Sequence, residues 1–128
     1  MIIETERLYL REMTENDFDA LYKVLADSDI MQHYPYTFDE ARVRNWIQRN
    51  IERYRILGFG LWAVCLKETG EMIGDCGLTM QLINGQIRPE IGYHIRRDRQ
   101  RRDMQRKRPL QSEIGHSDIH RLTLFIPI

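Results

Sequence analysis

The sequence predicts a single α+β domain in which two helices pack on a mainly antiparallel sheet. Amphipathic segments with helical spacing occupy the chain up to about residue 58, and apolar segments joined by tight turns follow them. The 128 residues suffice for one domain with a core and are too few for two. We therefore expect residues 1–128 to form one domain.

The helices follow a short first strand. Residues 8–11 alternate in polarity as a strand does. Thr14 precedes three polar or acidic residues and then apolar positions at helical spacing, which predicts a helix to about Ala26. Thr37 is expected to cap a second helix, which Gly58 ends.

Three strands are predicted to follow as a meander. Residues 60–67 form an apolar run bounded by glycine and a turn, and residues 72–83 and 87–95 flank Asn84-Gly85, a strong signal for a two-residue hairpin. Two glycines of the middle strand are expected to mark a bulge or a close approach of backbones: Gly74 and Gly77.

Composition excludes few functions. Nineteen basic and nineteen acidic residues balance, so the net charge points neither to nucleic acid nor to an acidic membrane surface. No apolar run approaches the roughly 18 residues of a membrane span, and no leader pattern opens the chain, so we expect a cytoplasmic protein without a membrane segment. Cys65 and Cys76 lack metal-ligand spacing, which predicts buried free thiols and no metal site.

Four segments together resemble a known family. They are residues 5–11, Asp17-Phe18, residues 72–74 and above all residues 90–95, with the sequence Glu-Ile-Gly-Tyr-His-Ile. Their order and spacing resemble the ribosomal-protein N-terminal acetyltransferase branch of the GNAT superfamily, over residues 1 to about 102. The resemblance implies a GNAT-like fold and direct transfer of acetyl from acetyl-CoA to a primary amine, such as a protein N-terminus or a small amine, without a metal.

The resemblance also implies where the cofactor binds. In the family, an apolar-x-apolar triplet on the strand before the phosphate loop contacts the pantetheine arm, and Tyr93, His94 and Ile95 stand at that place. Backbone amides of a glycine turn then meet the pyrophosphate at a helix start. The implied phosphate-binding positions in this chain are Arg96, Gln100, Arg101, Arg102 and Asp103.

Asp103 departs from the family pattern. It stands where the family has glycine, Gln105 stands where a small residue is expected, and Pro109 would interrupt the following helix. Reading the codons from position 103 one nucleotide earlier permits glycine at 103 and alanine at 105, so one hypothesis is that residues 103–128 are a frame-shifted, divergent tail. The alternative is a genuine variant in which residues 121–126 form a strand. With the C-terminal helix and strands incomplete, we expect weak acetyl-CoA binding and a self-associating chain, such as a homodimer.

Glu90 is the candidate catalytic residue. It lies on the strand beside the expected thioester and could accept the proton of the incoming ammonium, directly or through water; the alternative is a structural pair with Arg88. His94 alternates to the face opposite Tyr93 and Ile95, so a surface or core role is expected rather than acid–base work.

Three aromatic residues are candidates for the acceptor pocket: Tyr34, Tyr36 and Trp62. Aromatic core is the alternative for all three.

Two other classes of function stay open. One is a module that binds CoA or a protein partner without catalysis. The other is a nucleic-acid binder, which is suggested by the eight basic and two acidic residues at positions 96–108. The balance of charges over the whole chain disfavours this class. Thioester turnover, CoA binding without turnover and steeply salt-dependent RNA binding would distinguish the three.

Overall fold

The computed structural model describes residues 3–32 and 34–96. They form one five-stranded sheet, a short 3₁₀ turn and two helices, which confirms the predicted α+β class. The elements in chain order are β1 Ile3–Glu4, β2 Leu8–Arg11, the 3₁₀ turn Glu15–Asp17, α1 Phe18–Leu25, α2 Glu40–Leu57, β3 Leu61–Leu66, β4 Met72–Ile83 and β5 Gln86–Ile95.

The sheet has the strand order β1-β2-β3-β4-β5, and every neighbouring pair is antiparallel. The predicted hairpin is confirmed, because Asn84 and Gly85 both have positive φ, 51° and 78°, as a two-residue turn of this type requires. Residues 74–83 of β4 therefore each pair with a fixed residue of β5, from Ile83 with Gln86 to Gly74 with Ile95.

The two faces of the sheet carry separate cores. Both helices pack on one face, where buried residues of α1 and α2, such as Leu21 and Ile47, meet Ala63 and Cys65 of β3. The other face buries Trp62 with ten further residues. Cys65 and Cys76 are buried free thiols, as predicted, and burial raises the pKa of Cys76 to about 12.

Helix α1 begins where an ion pair fixes the chain. The carboxylate of Asp17 accepts a bond from the Thr14 backbone N–H at 2.8 Å and two bonds from the Arg11 guanidinium, at 2.8 and 2.9 Å. Burial alone would raise the pKa of Asp17, but these bonds and the charge of Arg11 outweigh it and lower the pKa. The pair therefore joins β2 to the start of α1.

The predicted cap of α2 was wrong by two residues. Asp39 is the N-cap, and its Oδ1 accepts from the Arg42 backbone N–H at 2.9 Å. The carbonyl of Thr37 instead accepts from the Arg42 side chain, which keeps Thr37 outside the helix. Gly58 ends α2 in the left-handed conformation, φ +81°, as expected.

Two side chains of α2 anchor the helix to β3. Strand β2 ends at Arg11, opposite Ala63, so it does not reach Leu61. Asn50 accepts from the Leu61 N–H at 2.9 Å, and the Tyr54 hydroxyl donates to the Leu61 carbonyl. These side chains thus supply the partners that a longer β2 would have supplied, and they fix the position of α2 over the sheet.

Gly74 and Gly77 mark close approaches of backbones, as predicted. A Cβ at Gly74 would lie 2.0 Å from the His94 carbonyl oxygen, and one at Gly77 equally close to the Gly60 carbonyl oxygen. A bulge at residue 73 accompanies the first contact, since Val64 pairs with Gly74 but Cys65 pairs with Met72.

Several expectations fall on residues outside the described ranges. These are the phosphate-loop positions Gln100, Arg101, Arg102 and Asp103, the frame-shift hypothesis and the strand at residues 121–126. On β5, Tyr93 is exposed and Ile95 is buried. Self-association stays a prediction.

Neither described helix is long and apolar enough to cross a membrane.

Candidate active site

An open cleft of about 460 Å³ lies between α2 and the β4–β5 hairpin. Trp46, Arg49, Asn50 and Arg53 line it from the helix, because positions i, i+3, i+4 and i+7 share one face. Residues 90–94 of β5 line it from the sheet, and Tyr34 closes one end from the segment between the helices. The cleft is therefore built by elements far apart in sequence.

A buried carboxylate organises the end of the cleft near Tyr34. Asp75 is fully buried on β4, opposite His94 of β5 in the strand register. Its Oδ1 lies 2.7 Å from Nδ1 of His94, and its Oδ2 accepts from the indole N–H of Trp46 at 3.0 Å. Both carboxylate oxygens thus have partners, and the imidazole of His94 is held in one orientation.

The same network sets the charge of His94. Burial favours the neutral imidazole, but the negative charge of Asp75 and the hydrogen bond to it favour the imidazolium more strongly, so the pKa of His94 is raised. The pKa of Tyr34 is raised by burial and, to a smaller extent, by the charges of Asp75 and Glu90. The negative charge of Asp75 therefore contributes to the raised pKa of both His94 and Tyr34 at this end of the cleft.

Aromatic rings surround His94. The ring centroid of Trp46 lies 5.7 Å and that of Tyr34 6.3 Å from the imidazole centroid. Phe38 packs edge-on against both Tyr34 and Trp46, at 5.3 and 5.5 Å. The His94 side chain is 16% exposed and lines the cleft.

Glu90 stands on the cleft wall with an exposed side chain. Within residues 3–32 and 34–96 its carboxylate makes no ion pair, and Arg88, the alternative partner considered from the sequence, binds the Gln86 side chain instead. Thr79, opposite on β4, donates to the Glu90 backbone carbonyl at 3.4 Å. The Glu90 carboxylate is therefore an exposed acidic group on the wall of the cleft.

The register also decides which backbone groups of β5 face its outer edge. The Arg96 N–H donates to the Ile73 carbonyl at 2.8 Å, and His94 occupies the equivalent position two residues earlier in the ladder. In an antiparallel pair these positions direct their N–H and C=O toward the partner strand, and the alternate positions direct theirs away. Tyr93 and Ile95 therefore present backbone groups to the side of β5 away from β4.

This alternation fits the contact that the sequence resemblance implied for an extended pantetheine arm. Tyr93 and Ile95 have the required backbone direction, whereas the backbone of His94 is directed at β4. The predicted cofactor contact of His94 stays a prediction, and the structure places its side chain in the lining of the cleft. Arg96, expected to clamp a phosphate, has its guanidinium 2.8 Å from the Glu71 carboxylate.

The aromatic candidates for the acceptor pocket separate in the structure. Tyr34 lines the cleft, and Tyr36 is an exposed neighbour whose ring lies 3.8 Å beneath the Arg42 guanidinium. Trp62 is only 1% exposed and stacks on Tyr54 within the core of the opposite face, so its assignment to the acceptor pocket is a correction. Alternation along β3 directs Trp62 to that face.

In the described ranges, no group of three or more His, Cys, Asp or Glu side chains is arranged as a metal site.

Comparisons with known proteins agree with this architecture. A family model described as the acetyltransferase (GNAT) domain matches residues 7–105. The uncharacterized protein YkkB of Bacillus subtilis (strain 168) is 36% identical over 94 residues, which cover 73% of this chain and 55% of YkkB. The uncharacterized N-acetyltransferase p20 of Bacillus licheniformis is 36% identical over 99 residues, 73% of this chain and 53% of p20. The chain thus spans about half the length of the curated relatives it matches.

Solved structures support the fold. The acetyltransferase from Agrobacterium tumefaciens str. C58 superposes with a TM-score of 0.68 at 24% identity, covering 98% of this chain and 69% of that one. A putative GnaT-family acetyltransferase from Bordetella pertussis gives 0.70 at 15% identity, covering 94% and 70%. At these identities the likeness concerns the fold alone.

Proposed function

The chain belongs to the GNAT acetyltransferase family, and we propose that it transfers acetyl from acetyl-CoA to a primary amine. One observation carries the proposal: β5 combines outward-facing backbone groups at Tyr93 with a cleft-facing carboxylate at Glu90. The two positions are three residues apart, about 10 Å along a strand. An acceptor that is drawn into the cleft by Glu90 and extends along β5 would therefore approach a thioester held beside Tyr93.

Acetyl-CoA would be held mainly by β5 and the segment after it. The backbone groups of Tyr93 suit hydrogen bonds to the amides of the pantetheine arm, and the family resemblance assigns Ile95 to the same contact. The bound cofactor supplies the acetyl thioester. The family resemblance assigns its phosphates to Arg96, Gln100, Arg101 and Arg102, and Asp103 would oppose them by charge.

In the reaction, the amine nitrogen attacks the thioester carbonyl, the C–N bond forms, and the C–S bond breaks with CoA leaving as the thiolate. An amine at neutral pH arrives mostly as ammonium and must first lose a proton. Glu90 would attract the ammonium group into the cleft and is the proton acceptor that the sequence predicts. Among the described residues that line the cleft, His94 is the other side chain suited to accept a proton.

The acceptor would lie along α2. Tyr34 and Trp46 provide apolar surface near His94, and the next turns of the helix bring Arg49 and Arg53 to the cleft, about 5 and 10 Å along the axis from Trp46. Arg49 makes no ion pair with any residue in the described ranges. We therefore propose an acceptor that carries a negative group near its amine, as an acidic peptide N-terminus or a small amino acid does.

The test measures release of CoA thiol from acetyl-CoA with a panel of amines, with mass spectrometry of the acetylated product. We expect turnover with anionic amines and a fall of at least about 10-fold in kcat/KM in Glu90→Gln. Glu68→Gln is the matched control, since Glu68 is exposed in the turn between β3 and β4. CoA binding without turnover would instead indicate a binding module, and steeply salt-dependent RNA binding without turnover a nucleic-acid binder.

A further inference from the structure

We infer that His94, held by Asp75, is the residue that accepts the proton of the acceptor amine; the inference rests on the proposed acetyl transfer. The observation behind it is geometric. His94 is the one imidazole of the described cleft, its Nδ1 is fixed by a fully buried carboxylate at 2.7 Å, and that carboxylate is fixed in turn by Trp46.

The hydrogen bond fixes the tautomer. Asp75 is an acceptor, so the proton of the neutral imidazole lies on Nδ1, and Nε2 keeps the lone pair. Since Nδ1 faces Asp75, Nε2 is the nitrogen available for a group bound in the cleft. Without the buried carboxylate the imidazole could adopt either tautomer and could rotate. Only one of these states directs an unprotonated ring nitrogen at the cleft.

Proton affinity also separates His94 from Glu90. General base catalysis is most efficient when the pKa of the base lies near the working pH. The negative charge of Asp75 and the hydrogen bond to it raise the pKa of His94 against the opposing effect of burial, whereas the exposed Glu90 carboxylate is a fixed negative charge at the cleft wall. Glu90 is therefore better suited to bind the ammonium group, and His94 to take its proton.

Two protons leave the ammonium nitrogen during the transfer. Nε2 of His94 takes one proton from the ammonium, giving imidazolium and a neutral amine, and the amine attacks the thioester carbon. The nitrogen loses its second proton as the C–S bond breaks, and the thiolate receives one proton. His94 returns its proton to solvent through the cleft, so the net release is one proton for each acetyl transferred.

The titration of His94 is set by groups from every element around it. Asp75 on β4 raises its pKa, and Trp46 on α2 contributes an uncharged ring. The other ionisable side chains that line the cleft near it come from the segment between the helices, from α2 and from β5: Tyr34, Arg49, Arg53, Glu90 and Tyr93.

The main experiment compares pH profiles of kcat/KM. In the unmodified protein we expect activity to rise with pH through a limb set by His94, because only the neutral imidazole accepts a proton. His94→Gln should lower kcat/KM by about 10²- to 10⁴-fold and abolish that limb, while Glu90→Gln should lower activity and keep the limb. A folded His94→Gln protein with the limb intact and less than a 3-fold loss overturns the inference.

Two variants of the supporting groups move the limb in opposite directions. Asp75→Asn removes the charge that raises the pKa of His94, so the limb should shift to lower pH. Trp46→Phe removes a donor that stabilises the Asp75 carboxylate, so the limb should shift to higher pH. A residue with a purely structural role would lower activity without moving the limb. These variants decide the question if His94→Gln does not fold, and an unmoved limb in both overturns the inference.

An NMR titration separates this inference from the proposed function. If the unmodified protein acetylates no amine, the proposed function fails. The histidine ring signals, assigned with His94→Gln, still report whether His94 titrates above its ordinary value and whether Asp75→Asn lowers it. A His94 pKa below its ordinary value overturns the paired arrangement.

Discussion

Asn50 provides a direct measure of how firmly α2 is fixed over the sheet. Its side chain is 1% exposed, its Oδ1 accepts from the Leu61 N–H at 2.9 Å, and its Nδ2 donates to the Trp46 carbonyl at 2.9 Å. In Asn50→Leu the Leu61 N–H would stay buried without an acceptor, which costs about 1–3 kcal/mol. The Trp46 carbonyl loses less, because a helical carbonyl also accepts from the backbone N–H four residues later.

The expected loss of unfolding free energy is therefore about 2 kcal/mol, equivalent to a shift of roughly 1 M in the urea midpoint at a slope of about 2 kcal/mol/M. In a thermal melt it corresponds to a decrease of roughly 8 °C in Tm for a domain of this size. Asn45→Leu is the matched control, because Asn45 is an exposed residue of the same helix, and it should change stability by less than about 0.5 kcal/mol. Equal stabilities of the two variants would refute the anchoring role of Asn50.

Three further predictions concern single residues. Gly74→Ala should destabilise the protein by about 1–3 kcal/mol and weaken the protection of β5 amides in hydrogen exchange, because a Cβ there would lie 2.0 Å from the His94 carbonyl oxygen. Asp17→Asn should lower the free energy of unfolding in urea by about 1.5–3 kcal/mol at pH 7. Because the pKa of Asp17 is lowered in the folded protein, the ion pair stabilises the fold at pH values above the unfolded pKa. The difference in stability between the two proteins should therefore vanish as the pH falls below about 4 and through the folded pKa. Arg49→Ala should raise KM about 5-fold or more for an anionic acceptor and leave KM for a neutral amine unchanged, whereas the same change at Arg44, which pairs with Glu40 on the exposed side of α2, should alter neither.

Much of the sheet could be predicted because its signals are local. The Asn84-Gly85 turn demands positive φ at two successive residues, and it therefore fixes where β4 ends and β5 begins. Polarity alternation located β2 at residues 8–11, as observed. Strand β1, only two residues long, carries too little alternation to be recognised in the sequence.

The cap of α2 and the place of Trp62 could not be decided in the same way. Thr37 and Asp39 are both good capping residues, and the sequence does not show at which of them the first helical turn begins. In the structure the Arg42 backbone N–H bonds to Asp39, which makes Asp39 the N-cap. Strand β3 is buried on both faces, so its sequence has no polar side that would show where Trp62 points. Only the packing of both helices on the other face settles that Trp62 belongs to the second core.

The His94–Asp75 pair was missed although the sequence contained the means to find it. Because residues 84 and 85 form a two-residue turn, the residue numbers of any pair between β4 and β5 add up to 169. Residues 75 and 94 satisfy this condition, and they pair in the structure. Paired residues project to the same face, so a carboxylate and an imidazole had to be neighbours. The position of His94 within its own strand shows only that its side chain lies on the face of the sheet opposite Tyr93 and Ile95.

The contact of Trp46 with the other oxygen of the Asp75 carboxylate could not be predicted from the sequence. Trp46 lies 29 residues before Asp75, and the contact depends on how α2 lies over the sheet. The turn therefore determines that the pair forms, and the anchoring of α2 through Asn50 determines that the pair is enclosed beside a cleft.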